Sequence, residues 1–153
     1  MQKPLSYVKI KLVVSSIKGG IIVNIGFIAQ GNRRVLLENF CIAYKGILKK
    51  HNLIATDITA QQIEGVTGLT IQHLLADEMG GIKQMTSIVE RDNLDMLFLF
   101  QVQGNGDISA KEQSDYEELS RMCDLYTIPL ATNIATAESL ILCLDHGDLE
   151  WRN

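Results

Sequence analysis

Scarce cysteine and the absence of a long apolar run exclude several classes of protein for this chain. The three cysteines, Cys41, Cys123 and Cys143, are odd in number, far apart, and set in segments with helical spacing among apolar neighbours. They therefore predict buried free thiols in a reducing compartment, not a disulfide framework or a metal site. No apolar stretch reaches the roughly 18 residues of a membrane-spanning helix. Lysines also interrupt the apolar residues near the amino terminus, so we expect a cytoplasmic protein without a signal peptide or a membrane partner.

The chain also lacks a surplus of basic residues. Its 14 lysines and arginines are outnumbered by 18 aspartates and glutamates, and the formal net charge is -4. A general nucleic-acid binder needs a dense basic face that neutralises phosphates. The clusters Arg33-Arg34 and Lys49-Lys50 are too small to form one. We therefore expect no nucleic-acid partner.

Motifs for metals and dinucleotide cofactors are missing. The three histidines are widely separated, and none has metal-ligand spacing with Cys, Asp or Glu. His51 and His146 fall where helices should end, where a cationic ring would suit the helix dipole. His73 falls in a strand-like run, where an edge or hydrogen-bonded position is expected. The two glycines of Gly104-Asn105-Gly106 are not a dinucleotide fingerprint. We expect no metal and no cofactor.

What is present is an alternation of strand-like and helix-like segments in a chain of 153 residues, long enough for one domain with its own core. Strands are predicted over 21–29, 53–55, 69–75, 94–100 and 128–132, and helices over 34–50, after 60, and over 82–91, 114–126 and 136–144. This order predicts an α/β fold: a three-layer α/β/α sandwich around a mostly parallel sheet of about five strands. We expect a single domain over 1–153, with 1–23 as an amino-terminal extension whose run 9–14 forms an extra strand.

Parallel sheets of this kind bind ligands beyond the carboxyl ends of their strands. The loops that follow the predicted strands are therefore the candidate site. They lie at 30–34, 56–60, 77–82, 101–107 and 132–136.

Two segments carry a resemblance to a known family. They are Ala131-Thr132-Asn133-Ile134-Ala135-Thr136-Ala137 and Asp77-Glu78-Met79-Gly80-Gly81-Ile82. Both resemble methylglyoxal synthase and, more broadly, the domain it shares with the allosteric module of carbamoyl-phosphate synthetase. The resemblance runs from Asn24 to about Gln101 without a gap and, after a small insertion near 103–107, covers about four fifths of the chain. It implies the family's fold and a homo-oligomer, since methylglyoxal synthases form hexamers.

The resemblance also implies an anion site. Members of this family bind dihydroxyacetone phosphate, move a proton with a carboxylate and eliminate phosphate. Arg34 falls at the position of a phosphate-binding lysine, while Thr56 and Thr59 fall at two positions of a threonine-rich loop. Hydroxyls, a helix N-terminus and a cation can hold an oxyanion. The predicted ligand is inorganic phosphate or a small phosphorylated molecule; alternatively, Thr59 only caps its helix and Thr56 only ends a strand.

The family's catalytic groups are replaced. Ile82 stands where the family has its catalytic aspartate, and Gln30-Gly31-Asn32 stands where it has His-Asp-His. Isoleucine cannot abstract a proton, so we expect a catalytically degenerate member that serves as a phosphate-binding or assembly module. The alternative is a carbon–oxygen lyase of the methylglyoxal synthase type, or a related enzyme on a phosphorylated substrate, with its base recruited from the acidic candidates Asp77, Glu78 and Asp115. A third hypothesis is an interaction protein with a vestigial pocket.

Overall fold

Five parallel strands form the centre of the fold in the computed structural model, which describes residues 22–102 and 108–149. The strands are β1 (Asn24–Ala29), β2 (Asn52–Ala55), β3 (Gln72–His73), β4 (Met96–Phe100) and β5 (Leu130–Ala131). Their order in the sheet is β3-β2-β1-β4-β5, and every pair is parallel. The predicted strand over 9–14 lies outside the described residues.

The central pair, β1 and β4, is buried on both faces of the sheet. All five residues of β4 are buried, as are five of the six residues of β1, and the two strands pair from Ile25↔Met96 to Ala29↔Phe100. A near-continuous apolar run is what a strand covered on both faces requires. The rings of Phe27 and Phe98 stack with their centroids 5.3 Å apart. This pair therefore fixes the middle of the molecule.

Helices cover both faces of the sheet. They are α1 (Arg33–Ala43), α2 (Lys45–Leu48), α3 (Asp57–Thr67), α4 (Gly81–Glu90), α5 (Ala110–Leu125) and α6 (Ile134–His146). Side chains of α1, α3 and α6 share one apolar cluster with Phe27 and Phe98, while those of α4 and α5 share the other with Leu97 and Leu99. The predicted three-layer α/β/α sandwich is thus confirmed. Within the described ranges, no helix is both long and apolar enough to cross a lipid bilayer.

Two predicted segments have different boundaries in the structure. The helix expected over 34–50 breaks at Tyr44, which leaves helical geometry at φ -109° and ψ 21° and separates α1 from the single turn of α2. The strand expected over 69–75 shrinks to the two exposed residues of β3, because this edge strand pairs only with Ile54 and Ala55 of β2. Apolar content alone does not show where a partner strand ends.

Capping side chains explain why two helices begin earlier than predicted. The Ser109 hydroxyl accepts a hydrogen bond from the N–H of Glu112 at 3.1 Å, so α5 begins at 110 and not 114. The Asn133 side chain accepts one from the N–H of Thr136 at 3.0 Å, so α6 begins at 134 and not 136. Each cap satisfies an N–H that the helix itself leaves without a partner. The predicted loop 56–60 is likewise the first turn of α3.

None of the three cysteines, all of which lie in the described residues, forms a disulfide. Cys41 and Cys123 are buried, as predicted, while Cys143 is half-buried. Burial, and to a smaller degree the neighbouring Glu38, raises the pKa of the Cys41 thiol to about 12. A thiol with so high a pKa is a poor nucleophile at neutral pH, because the thiolate is the reactive form.

The turn before α4 depends on two glycines. Gly80 has φ +104°, a left-handed conformation that side chains disfavour. A Cβ on Gly81 would lie 2.0 Å from the carbonyl oxygen of Leu75, and the Gly81 N–H donates to the Ala76 carbonyl at 2.9 Å. Close packing of this backbone positions the preceding turn, which carries Asp77 and Glu78.

Gly81→Ala should lower the free energy of unfolding by about 3 kcal/mol, because the added methyl group overlaps a backbone oxygen that has no room to move. Gly65→Ala is the matched control: it lies inside α3 with nothing within 4 Å of the added methyl. There we expect a gain of roughly 0.5–1 kcal/mol from helix propensity. Urea denaturation of both variants tests this; equal effects of the two substitutions would contradict the proposed packing.

Candidate functional site

A cavity of about 270 Å³ opens where the chain leaves the carboxyl ends of β1 and β4. From β1 the sheet continues to β2 and β3 on one side, and from β4 to β5 on the other. The strand order therefore reverses at this pair, which is where open α/β sheets bind ligands. The described lining residues are Gln30, Gly31, Arg34, Asp77, Glu78, Val102, Ile108 and Glu112.

Gln30 ties the two strand ends together. Its N–H donates to the carbonyl of Phe100 at 3.0 Å, and its side-chain oxygen accepts from the N–H of Val102 at 2.9 Å. The side chain is buried, so these bonds replace bonds to water. Gln30 serves as a fixed bridge at the back of the cavity.

Three carboxylates face this cavity: Asp77, Glu78 and Glu112. The pKa of Glu112 is raised above its ordinary value, first by burial and then by the negative charges of Asp77 and Glu78 and of nearby Asp115. Like charges in one site disfavour each other's ionised form. Glu112 is therefore the carboxyl group best suited to exchange a proton.

Tyr116 fixes one of these carboxylates. Its hydroxyl donates a hydrogen bond to Asp77 Oδ2, and its ring is buried beneath the cavity. Burial and the charge of Asp77 raise the pKa of the Tyr116 hydroxyl, which therefore stays protonated and keeps donating. This bond holds Asp77 in place.

Sequence reasoning did not find Glu112 or Tyr116. Ser109-x-x-Glu112 matches the spacing of a capping box, and that signal could have placed Glu112 in the first turn of a helix. It does not show which loop that turn faces. Only the packing of α5 on the sheet brings Glu112 to Asp77.

Arg34, a residue of the predicted anion site, lines the cavity. Its Nε donates to the carbonyl of Ala29 at 3.1 Å, at the last residue of β1. Among the described lining residues it is the one cation. Its neighbour Arg33 is exposed and does not line the cavity.

Thr59 meets Arg34 at the same peptide, but Thr56 does not. The Thr59 hydroxyl accepts from the Ala29 N–H at 3.2 Å and lies 3.4 Å from the Ala29 carbonyl oxygen. Thr56 is the residue before α3, and its fully buried hydroxyl has no hydrogen-bond partner among the described residues. Neither threonine lines the cavity.

Two other positions singled out from the sequence lie beside the cavity and not in its wall. The Asp115 carboxylate is buried and lies 3.5 Å from Lys83 Nζ. Ile82 is fully buried in the apolar cluster between the sheet and the helices α4 and α5. The position matched to a catalytic aspartate is therefore part of the core.

His73 forms a separate polar cluster at the edge of the sheet. Its Nδ1 lies 3.0 Å from an Asp57 oxygen and its Nε2 lies 2.6 Å from a Glu64 oxygen. Both carboxylates are acceptors, so only the imidazolium can donate to both. These two hydrogen bonds, Asp57 first, raise the pKa of His73, and the bond to His73 lowers the pKa of Asp57. The predicted edge position is confirmed.

His51 is different from the cationic helix cap that its sequence position indicated. Its Nδ1 accepts a hydrogen bond from the Val23 N–H at 3.2 Å, which requires that nitrogen to be unprotonated. Burial, followed by the charge of Lys50, lowers the pKa of His51. The ring is thus a neutral acceptor that holds the start of β1. No group of three or more His, Cys, Asp or Glu in the described part of the chain is arranged to hold a metal ion.

Comparison with known proteins points to one family. The methylglyoxal synthase of Caldicellulosiruptor saccharolyticus is 42% identical over 130 residues, which are 84% of this chain and 89% of the relative. That of Thermoanaerobacterium thermosaccharolyticum is 41% identical over 131 residues, 85% of this chain and 95% of the relative. The crystal structure of methylglyoxal synthase from Elizabethkingia anophelis NUHP1 superposes with a TM-score of 0.68 at 25% identity and covers 78% of this chain and 77% of its own. No protein-family model matches the chain.

The His73 cluster makes stability depend on pH. A histidine pKa raised on folding contributes stability that is fully present below about 6.5, the unfolded value, and is lost as pH rises through the folded value. We therefore expect the unfolding free energy to fall with rising pH above about 6.5. His73→Gln should flatten this slope, whereas His146→Gln, at an exposed residue at the end of α6, should keep it. Urea denaturation across pH 5.5–9 measures the slope; an unchanged slope in His73→Gln would refute this assignment.

Proposed function

Because this chain belongs to the methylglyoxal synthase family, we propose that it is a carbon–oxygen lyase. Its substrate is a small phosphorylated ketone of the dihydroxyacetone phosphate type, bound in the cavity between β1 and β4. Relatives that share more than four fifths of its length carry the name of this lyase, which favours the enzyme over a catalytically degenerate module. The observation that carries the proposal is the Glu112 carboxyl, whose pKa is raised, in the wall of the same cavity as Arg34 at the reversal of strand order.

The chemistry needs one group that takes and returns a proton. A carboxylate removes a proton from the carbon next to the ketone, and the electron pair forms an enediolate. The carbon–oxygen bond to phosphate on the other side of the ketone then breaks, phosphate leaves with its electron pair, and the remaining enol takes a proton to become methylglyoxal. Glu112 is assigned to this proton transfer because its raised pKa favours proton acceptance. Asp77, already bonded to Tyr116, and the exposed Glu78 shape its electrostatics.

Arg34 is assigned to the phosphate. Among the described residues, Arg34 makes its hydrogen bond through Nε, to the Ala29 carbonyl, so we assign the terminal nitrogens of the guanidinium to the anion. This cation also offsets the repulsion between a phosphate and the carboxylates, about 1 kcal/mol for two charges at about 4 Å in water. Thr59, whose hydroxyl contacts Ala29 as Arg34 does, and Thr56 at the start of α3 belong to the proposed anion site as its neighbours, although neither lines the cavity.

A second candidate has a specific observation in its favour. Ile82 stands at the position that the resemblance matches to a catalytic aspartate, and it is fully buried in the core. A chain with an apolar core residue at this position could keep the cavity and lack the catalytic activity. The second candidate is therefore a degenerate member that binds phosphate or a phosphometabolite.

The first test measures methylglyoxal and inorganic phosphate formed from dihydroxyacetone phosphate. The wild-type protein should release both in equal amounts, and Glu112→Gln should reduce the rate by about 100- to 10,000-fold because it removes the proton acceptor. Glu117→Gln, at an exposed position on the same helix, is the matched control and should keep full activity. No product from wild-type protein, or equal rates for Glu112→Gln and wild type, would overturn the assignment.

The second test separates a degenerate binder from a vestigial pocket. Inorganic phosphate should raise the melting temperature of wild-type protein, since a ligand at 100 times its dissociation constant adds about 2.7 kcal/mol of stability. Arg34→Ala should lose this shift, while Arg33→Ala, which alters an exposed neighbour, should retain it. A phosphate shift without turnover would establish the degenerate binder. Absence of both would leave the pocket without a ligand and favour an interaction protein.

A further inference from the structure

A second and larger cavity lies at the opposite end of the sheet. Its volume is about 760 Å³, and its wall includes Asn24 and Asn52, the first residues of β1 and β2. Residues around the starts of β3 and β4 complete it: Gly68, Leu69, Thr70 and Gln72 on one side, and Arg91 and Asn93 on the other. All these residues precede strands or begin them, whereas those of the candidate active site lie beyond the carboxyl ends of β1 and β4. We call this cavity the amino-end groove.

The charged residues of the amino-end groove are all basic. Lys45, Lys49 and Arg91 line it, and no aspartate or glutamate is among its described lining residues. All three are exposed, and none has an ion pair within the described ranges. Other cations of this protein do find partners: Lys50 lies 3.3 Å from Asp145, and Lys83 lies 3.5 Å from Asp115. The chain as a whole has a net charge of -4, whereas the charged residues described in the wall of this groove are all basic.

His51 adds an oriented donor to this groove. Because its Nδ1 accepts from the Val23 N–H, the neutral ring must carry its proton on Nε2. The ring therefore offers one fixed N–H without a positive charge. The nearest described carboxylates that act on it, Asp145 and Asp95, are already engaged by Lys50 and by the Asn24 N–H.

The floor of the groove is apolar. Leu53, Leu69 and Ile88 contribute buried side chains there. Small-molecule sites commonly combine such a floor with a few polar groups in a volume of about 300–1,000 Å³. The groove has that composition.

Cations near the carboxyl ends of helices also stabilise the helix dipole, so a test must distinguish that role from ligand binding. Lys49 follows the last residue of α2 and Arg91 follows the last residue of α4. Both therefore offset the negative ends of helix dipoles. Lys45 lies in the single turn of α2 and fits the same role, whereas the oriented His51 ring is not explained by it.

We propose that the amino-end groove is a second anion-binding site, which takes an organic di- or triphosphate. Lys45 and Lys49 bind phosphate groups on one rim and Arg91 binds them on the other, while the apolar floor contacts the organic part. A ligand with more than one phosphate is proposed because the cations come from two elements, Lys45 and Lys49 from α2 and its end, and Arg91 from the end of α4. This site is independent of the lyase reaction proposed above.

Isothermal titration calorimetry with ADP and with pyrophosphate, at fixed ionic strength, tests the proposal on the full chain. Wild-type protein should show saturable binding of ADP. The Lys45→Gln/Lys49→Gln double variant and Arg91→Gln should each weaken it, by up to about fivefold for each cation removed. Lys111→Gln, which removes one exposed charge from α5, and Arg34→Ala, which alters the candidate active site, should leave the affinity unchanged. Stronger binding of ADP than of pyrophosphate would indicate that the apolar floor contacts the organic part of the ligand.

Two results would overturn the proposal. If neither ligand binds wild-type protein at millimolar concentration, the three cations serve only the helix ends. If Arg34→Ala abolishes the binding, or Lys111→Gln weakens it as much as Arg91→Gln does, the ligand is held at the other cavity or by net charge alone. Because the exposed cations contribute little to the core, circular dichroism should show equal folding of all variants.

Discussion

The parallel pairing of β1 with β4 is the constraint on which the rest of this structure depends. Both strands are buried on both faces, so their backbone groups must pair with each other and with the flanking strands. The chain then leaves the two carboxyl ends in opposite directions and opens a cavity between them. Gln30 bridges the two strand ends with two hydrogen bonds, and both Arg34 and Thr59 form hydrogen bonds to the backbone of Ala29. The residues around the cavity are therefore bonded directly to the buried strands.

The two ends of the sheet carry opposite charge. Three carboxylates and one arginine line the cavity at the carboxyl end, whereas three cations and no acid among the described residues line the groove at the amino end. Helix N-termini gather at the carboxyl end of a parallel sheet and helix C-termini at the other. The acidic and basic side chains at these ends offset the helix dipoles. The same charges attract or repel any charged ligand that binds at either end.

The chain keeps the fold of its family, while the resemblance matches different residue types to several of the family's catalytic positions. Ile82 fills the core where the resemblance places an aspartate, and Gln30 forms a structural bridge where it places a histidine. In the same space, α5 contributes Glu112 beside the Asp77 carboxylate that Tyr116 holds. Glu112, a carboxyl group from a different element, is the residue that we propose for the proton transfer, so an isoleucine at position 82 does not by itself exclude catalysis.

Periodicity and run length alone predicted the order of elements, the parallel sheet and the two-sided burial of β4, because these depend on local pattern. The resemblance predicted Arg34 as an anion-binding residue; it lines the cavity at the strand ends, and its binding role stays a proposal. Only the tertiary structure shows that Thr56 is buried and that Ile82 belongs to the core. It also brings Glu112 and Tyr116 close to Asp77, from which Tyr116 is 39 residues away in sequence. It also showed the extent of β3 and the tautomer of His51. The physical reason is that strand pairing, side-chain burial and hydrogen bonding depend on residues that are distant in sequence. Local sequence patterns do not show which of those residues will be close in space.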